Sequence, residues 1–81
     1  MNIEIVSPDK KLFSGEVSLI QLPGSNGSFE LLDNHAPIIS TLSKGKIRII
    51  TNEKKEIIFD IGGGVLEMAQ NKAIILAETS K

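Results

Sequence analysis

Within short segments of this sequence, apolar side chains recur at every second position, and Gly, Pro, Asn, Asp or Lys ends each segment within a few residues. Ile3 and Ile5 flank Glu4, Val17 and Leu19 flank Ser18, and Ile47 and Ile49 flank Arg48; Ile57, Phe59 and Ile61 alternate with Ile58 and Asp60. A period of two gives an extended strand one face for a core and one for solvent, whereas a helix would need apolar residues three and four apart. The side chains themselves suit strands: thirteen isoleucines, three valines and three threonines bring the β-branched class to nineteen of 81 residues. Such side chains are stiff at χ1 and pack well on a pleated surface.

The punctuation sets the order of the segments. Pro8-Asp9, Pro23-Gly24 and Asn71-Lys72 separate apolar runs, and the polar stretch Thr51 to Glu56 reads as a hairpin connection with Asn52 suited to a positive φ. Pro23-Gly24-Ser25-Asn26-Gly27-Ser28 is the longest such stretch and predicts an exposed loop. The nearest candidate for a helix, Glu67 to Leu76, is interrupted by Asn71 and flanked by β-branched residues, so it is read as two strands. Eight to ten short strands at this spacing predict an all-β sandwich or barrel. Ile3, Ile5, Val17, Leu19, Ile47, Ile49, Phe59 and Ile75 are expected in its core.

A chain of 81 residues has material for one core and one domain, residues 1–81, since so short a chain buries only about 60% of the surface it exposes when unfolded. With no cysteine and one histidine, neither disulfides nor a thiolate or histidine-rich metal site is expected to supplement it. The sequence is 41% hydrophobic, too rich for disorder, yet too interrupted for a membrane span of about 20 apolar residues. Nine basic against ten acidic residues, with no basic run, argue against a nucleic-acid partner. The N-terminus lacks the basic and apolar regions of a signal peptide, which points to the cytoplasm.

Two patterns invite a catalytic reading and fail on their context. Gly62-Gly63-Gly64 could cradle a phosphate, but Val65-Leu66-Glu67-Met68 follows where a Lys-Ser/Thr pair and a helix N-terminus would be needed. Glycines in a strand serve instead at a bulge or at a close crossing between two sheets. Asp33, His35 and Ser40 are the residue types of a hydrolase triad, but no nucleophile elbow surrounds Ser40. His35, beside Ala36-Pro37, is better placed for recognition. The residues by themselves give a small binding or assembly module with no catalytic, cofactor-binding or metal site.

Four blocks, in order, go further. Ile5-Val6-Ser7-Pro8 with Leu12-Phe13-Ser14-Gly15-Glu16-Val17 comes first, then Ile20-Gln21-Leu22-Pro23-Gly24-Ser25-Asn26-Gly27 leading to Asn34-His35-Ala36-Pro37-Ile38-Ile39. Lys44-Gly45-Lys46-Ile47-Arg48-Ile49 and Gly63-Gly64-Val65-Leu66-Glu67-Met68 complete the set. In motif and spacing the chain resembles the β-sandwich domain of bacterial F-type ATP synthase epsilon subunits. The resemblance implies a small flattened β-sandwich of about ten short strands, without the C-terminal helical hairpin of longer members and hence without ATP affinity. It implies a monomeric, non-catalytic rotor subunit that joins the gamma subunit to the c-ring. Its place would be the cytoplasmic face of the bacterial inner membrane, held there only through the complex, with no cofactor. Carried over position by position, the gamma-facing residues would be Ser7, His35, Ala36, Pro37 and Ser40, and the c-ring-facing residues Ser25, Asn26, Gly27, Ser28 and Glu30.

Overall fold

The computed structural model describes residues 1–79. They form seven strands: β1 (Asn2–Val6), β2 (Lys11–Gly24), β3 (Gly27–Leu32), β4 (Ile38–Leu42), β5 (Gly45–Thr51), β6 (Glu56–Ala69) and β7 (Lys72–Thr79). No helix occurs among the described residues. The strand count falls below ten because β2 and β6, at 14 residues each, run through both layers of the sandwich.

The first half of β2 pairs with β1 and its second half with β5 and β3. The first half of β6 pairs with β5, and its second half lies between β7 and β4. One layer is therefore β3-β2-β5-β6 and the other β2-β1-β7-β6-β4, closed by the parallel β1–β7 pair that joins the two ends of the chain. Both long strands break register where they change layer, β2 between Val17 and Leu19 and β6 between Ile61 and Gly63. An extra residue at a bulge bends a strand and raises its twist, which lets one strand serve two sheets.

The bulge in β2 also corrects one expected core position. Strict alternation would bury Val17 and Leu19 together; the inserted residue shifts the phase, so Val17 and Ile20 are buried while Leu19 is only half-buried. Ile3, Ile5, Ile47, Ile49 and Ile75 are fully buried as expected, and no polar or charged residue is buried among those described. Phe59 is half-buried rather than buried: it packs against the core from its margin, with its ring tilted against Phe13 at a centroid separation of 5.8 Å. Phe59→Ala is therefore expected to cost about 3 kcal/mol in urea unfolding, at the low end for a phenylalanine truncation. Its double-mutant cycle with Phe13→Ala should show a coupling of about 0.5–1.5 kcal/mol; additivity of the two would mean that the rings pack independently.

Turn chemistry explains the connections. Gln70 and Asn71, at φ 52° and 58°, form a two-residue turn that sets Ala69 opposite Lys72, so Glu67 to Leu76 is two strands as the sequence predicts. In the β5–β6 connection the positive φ falls on Lys54 (66°), not on Asn52. Thr51 closes that loop, its carbonyl accepting the Lys54 N–H at 2.8 Å and its Oγ1 the Lys55 N–H at 3.1 Å, which places the left-handed residue last. The stretch Pro23 to Ser28 is shorter as a loop than the sequence suggests: pairing continues through Pro23–Ser28 and Gly24–Gly27, leaving Ser25 and Asn26 as the turn.

A candidate partner interface

The two outer faces of the sandwich differ in kind. On the β3-β2-β5-β6 layer, Lys46 bonds Asp60 at 2.7 Å, Arg48 pairs with Glu56 and Gln21 Nε2 donates to Ser28 Oγ at 3.4 Å, giving a cross-linked polar surface. The β1-β7-β6-β4 layer turns apolar side chains outward. Thr41, Val65, Leu76 and Val6 face one another across four strands, and Ile39, Glu67, Ile74 and Glu4 form the next row. In this face Ile39 is 74% exposed, Leu76 55% and Val65 39%. A shallow depression of about 200 Å³ lies among Ile39, Val65, Glu67, Ile74 and Leu76. A second, of about 300 Å³, lies among Val6, Ser7, Pro8, Leu76, Ala77 and Glu78, so that Leu76 is the ridge between them.

These apolar residues escape a search for alternation, yet they leave a trace: Ile38-Ile39, Val65-Leu66 and Ile74-Ile75-Leu76 are unalternated runs. A strand that is apolar on both faces has something to cover on both. Ile38, Leu66 and Ile75 face the core side, while Ile39, Val65 and Leu76 face out. A contiguous exposed apolar patch of this sort marks an interaction surface more often than a lone exposed leucine does.

The five residues expected to face gamma frame this surface without forming one cluster. Ser7 follows β1 at one corner, half-buried, its N–H and Oγ donating to the Lys10 carbonyl at 2.8 and 3.2 Å, and it lines the second depression. His35, Ala36 and Pro37 are exposed in the β3–β4 connection at the opposite corner, with His35 Nδ1 2.7 Å from the Ala36 carbonyl. β1 and β4 lie three strands apart across β7 and β6, about 14 Å at roughly 4.8 Å per strand. Ser40 sits between the corners on β4, but opposite buried Leu66, so its side chain is on the inner side of the layer and its Oγ donates to the Thr41 carbonyl at 3.1 Å.

The five residues expected to face the c-ring are brought together. Ser25, Asn26, Gly27, Ser28 and Glu30 are all exposed along the β2–β3 hairpin. The hairpin is braced on β4: the Ser25 N–H donates to the Thr41 carbonyl at 3.0 Å, Thr41 Oγ1 donates to Ser25 Oγ at 2.8 Å, and the Ser43 N–H donates to the Pro23 carbonyl at 2.7 Å.

Asp33, His35 and Ser40 do not come together. Asp33 accepts from the Met1 ammonium, His35 bonds its neighbour's carbonyl and Ser40 bonds Thr41, so the three triad-like residues make no hydrogen bond to one another. Gly63 and Gly64 face the carbonyls of Leu42 and Leu76, oxygens that would repel a phosphate. Among the described residues no group of three or more His, Asp or Glu could hold a metal ion, and no helix is long and apolar enough to cross a membrane.

Residues 1–81 match the family profile of "ATP synthase, Delta/Epsilon chain, beta-sandwich domain". The chain is 43% identical over 76 residues to the ATP synthase epsilon chain of Chlorobaculum tepidum, covering 94% of this chain and 86% of that one. It superposes on a chain in the Euglena gracilis mitochondrial ATP synthase OSCP/F1/c-ring structure with TM-score 0.87 and 18% identity, over 93% of this chain and 48% of that one. A chain in the Tetrahymena thermophila mitochondrial ATP synthase central stalk/c-ring structure matches with TM-score 0.81 and 18% identity, over 95% and 62%. At that identity the structural likeness speaks for the fold. The chain spans about half the length of the Euglena chain.

Proposed function

This chain belongs to the ATP synthase delta/epsilon β-sandwich family, and we propose from that premise that it is a non-catalytic rotor subunit that links the gamma subunit of the central stalk to the c-ring. The observation that carries the reading is the apolar outer face of the β1-β7-β6-β4 layer, flanked by Ser7 at one corner and His35-Ala36-Pro37 at the other. This face is the gamma surface. The polar β2–β3 hairpin, Ser25 to Ser28 with Glu30, is the c-ring surface. A part that passes torque between two partners needs two separate contacts on one stiff body, and a closed, densely packed sandwich with no polar or charged residue buried among those described supplies that stiffness. The subunit then sits peripherally on the cytoplasmic side of a bacterial inner membrane, held there by its partners.

Separate loss of the two contacts tests the assignment. With the tagged subunit as bait, wild type should retain both gamma and c-ring. Glu30→Lys combined with Ser28→Lys should lower c-ring retention several-fold and leave gamma retention and melting unchanged, since exposed substitutions shift stability by less than about 0.5 kcal/mol. Equal retention of the c-ring by this variant would remove the hairpin from the interface; failure of wild type to hold either partner would overturn the rotor reading.

A further inference from the structure

We propose that Asn26 is a site of spontaneous chemical modification, converting to aspartate and isoaspartate through a cyclic imide formed with the backbone nitrogen of Gly27. The inference stands apart from the rotor reading and uses only the local chemistry of the β2–β3 turn. The Gly27 nitrogen, having given its proton to solvent, attacks Cγ of the Asn26 carboxamide; the new C–N bond closes a five-membered ring, and the Cγ–NH₂ bond breaks as ammonia leaves. Water then adds to one of the two ring carbonyls. Opening at one side gives aspartate; opening at the other gives isoaspartate, whose main chain runs through the β-carbon. The only co-reactant is water.

Three observations select Asn26 from the five asparagines, which stand at 2, 26, 34, 52 and 71. First, it alone precedes glycine, so no side chain shields the attacking nitrogen, and a Cβ built at Gly27 meets nothing within 4 Å. Second, Asn26 and Gly27 are exposed, and among the described residues no hydrogen bond holds the Asn26 carboxamide. By contrast, Asn2 Nδ2 donates to the Gly15 carbonyl at 3.3 Å and to Glu16 Oε2 at 3.0 Å, and Asn71 Oδ1 accepts the Asn34 N–H at 2.7 Å. Third, the bonds that brace the hairpin on β4 hold Pro23 and Ser25, on the β2 side of the turn. The reacting pair lies on the other side, beside the terminal Gly24–Gly27 rung, and the end of a hairpin is where local opening costs least.

The product carries one more negative charge, taking the formal charge of the chain from −1 to −2, on the hairpin that also carries Glu30. The isoaspartyl form adds a methylene to the backbone of a turn only two residues long, so it no longer matches the Gly24–Gly27 closure.

The test incubates the intact 81-residue chain at mildly alkaline pH and follows it by peptide mass spectrometry and by labelling with an isoaspartyl methyltransferase. Fragmentation should show NH₂ replaced by OH at Asn26 in most molecules before Asn2 or Asn71 changes measurably, and Asn26→Gln should abolish most of the methyl labelling. An Asn26 that persists as long as Asn2 and Asn71, or labelling undiminished in Asn26→Gln, would overturn the proposal.

Discussion

Gly64→Ala is expected to lower the stability of this domain by about 4 kcal/mol, the sum of an overlap with neighbouring backbone and a strained backbone, each worth roughly 1–3 kcal/mol. A Cβ at this position would lie 2.2 Å from the Leu76 carbonyl oxygen and 3.2 Å from the Ala77 Cα, and its φ of +156° is one that L side chains rarely adopt. Both colliding atoms are backbone, so no rotamer change relieves them; β6 would have to part from β7 next to the point, between Ile61 and Gly63, where β6 changes layer. A domain of 81 residues has a total stability of only about 4–12 kcal/mol, so the variant keeps about 0–8 kcal/mol and, at the low end of that range, is expected to be about half unfolded at 25 °C. Gly15→Ala is the control: its Cβ would meet the Phe13 ring at an ordinary 3.6 Å, and its φ lies outside the left-handed range. That change should be near neutral, or slightly stabilising through the unfolded state. Urea unfolding of both decides the matter; a loss below about 1 kcal/mol at Gly64 would mean that the crossing yields more easily than packed backbone does.

Those glycines show which parts of the fold are legible in the sequence. Gly62-Gly63-Gly64 can be read as a crossing because a P-loop needs neighbours that are absent, and strand glycines have few other uses. What cannot be read is that the same segment belongs to one 14-residue strand rather than two short ones, because a bulge inserts its extra residue without any fixed residue type. The same blindness misplaces Leu19: alternation is visible residue by residue, but its phase is reset at Val17–Leu19 by a pairing with Thr51 and Ile50, 31 or more positions away. Among the candidate site residues, the hairpin Ser25 to Glu30 is legible because it is contiguous. The gamma-facing set comes only from the family resemblance, since Ser7 and His35 are neighbours in neither sequence nor space. The face between them is coded by two-sided apolar runs, which are indistinguishable from ordinary buried strands until the layers are seen.

That face supports the largest functional effect to be expected here. Ile39→Glu with Leu76→Glu should weaken gamma binding by at least about 2 kcal/mol, roughly thirtyfold, since both are large exposed apolar side chains of this surface and two new carboxylates there would have to be desolvated without a partner. Ile39 is 74% exposed and Leu76 55%, so neither substitution disturbs the core, and the melting curve should stay close to wild type. Leu32→Glu with Ile58→Glu provides the comparison that separates position from mere loss of hydrophobic surface. Leu32 is 54% and Ile58 50% exposed, but both belong to the opposite layer, Ile58 beside the Lys46–Asp60 and Arg48–Glu56 pairs and Leu32 on the edge strand β3. If gamma docks where the apolar rows of β4, β6, β7 and β1 place it, the first pair loses binding and the second keeps it. His35→Glu, at the corner of the same face, should have the smaller effect of a rim residue, visible chiefly in the association rate. Equal losses from the two double variants, measured by equilibrium titration with purified gamma, would show that general surface hydrophobicity and not this face drives the association; loss only from Leu32 and Ile58 would move gamma to the other side of the sandwich.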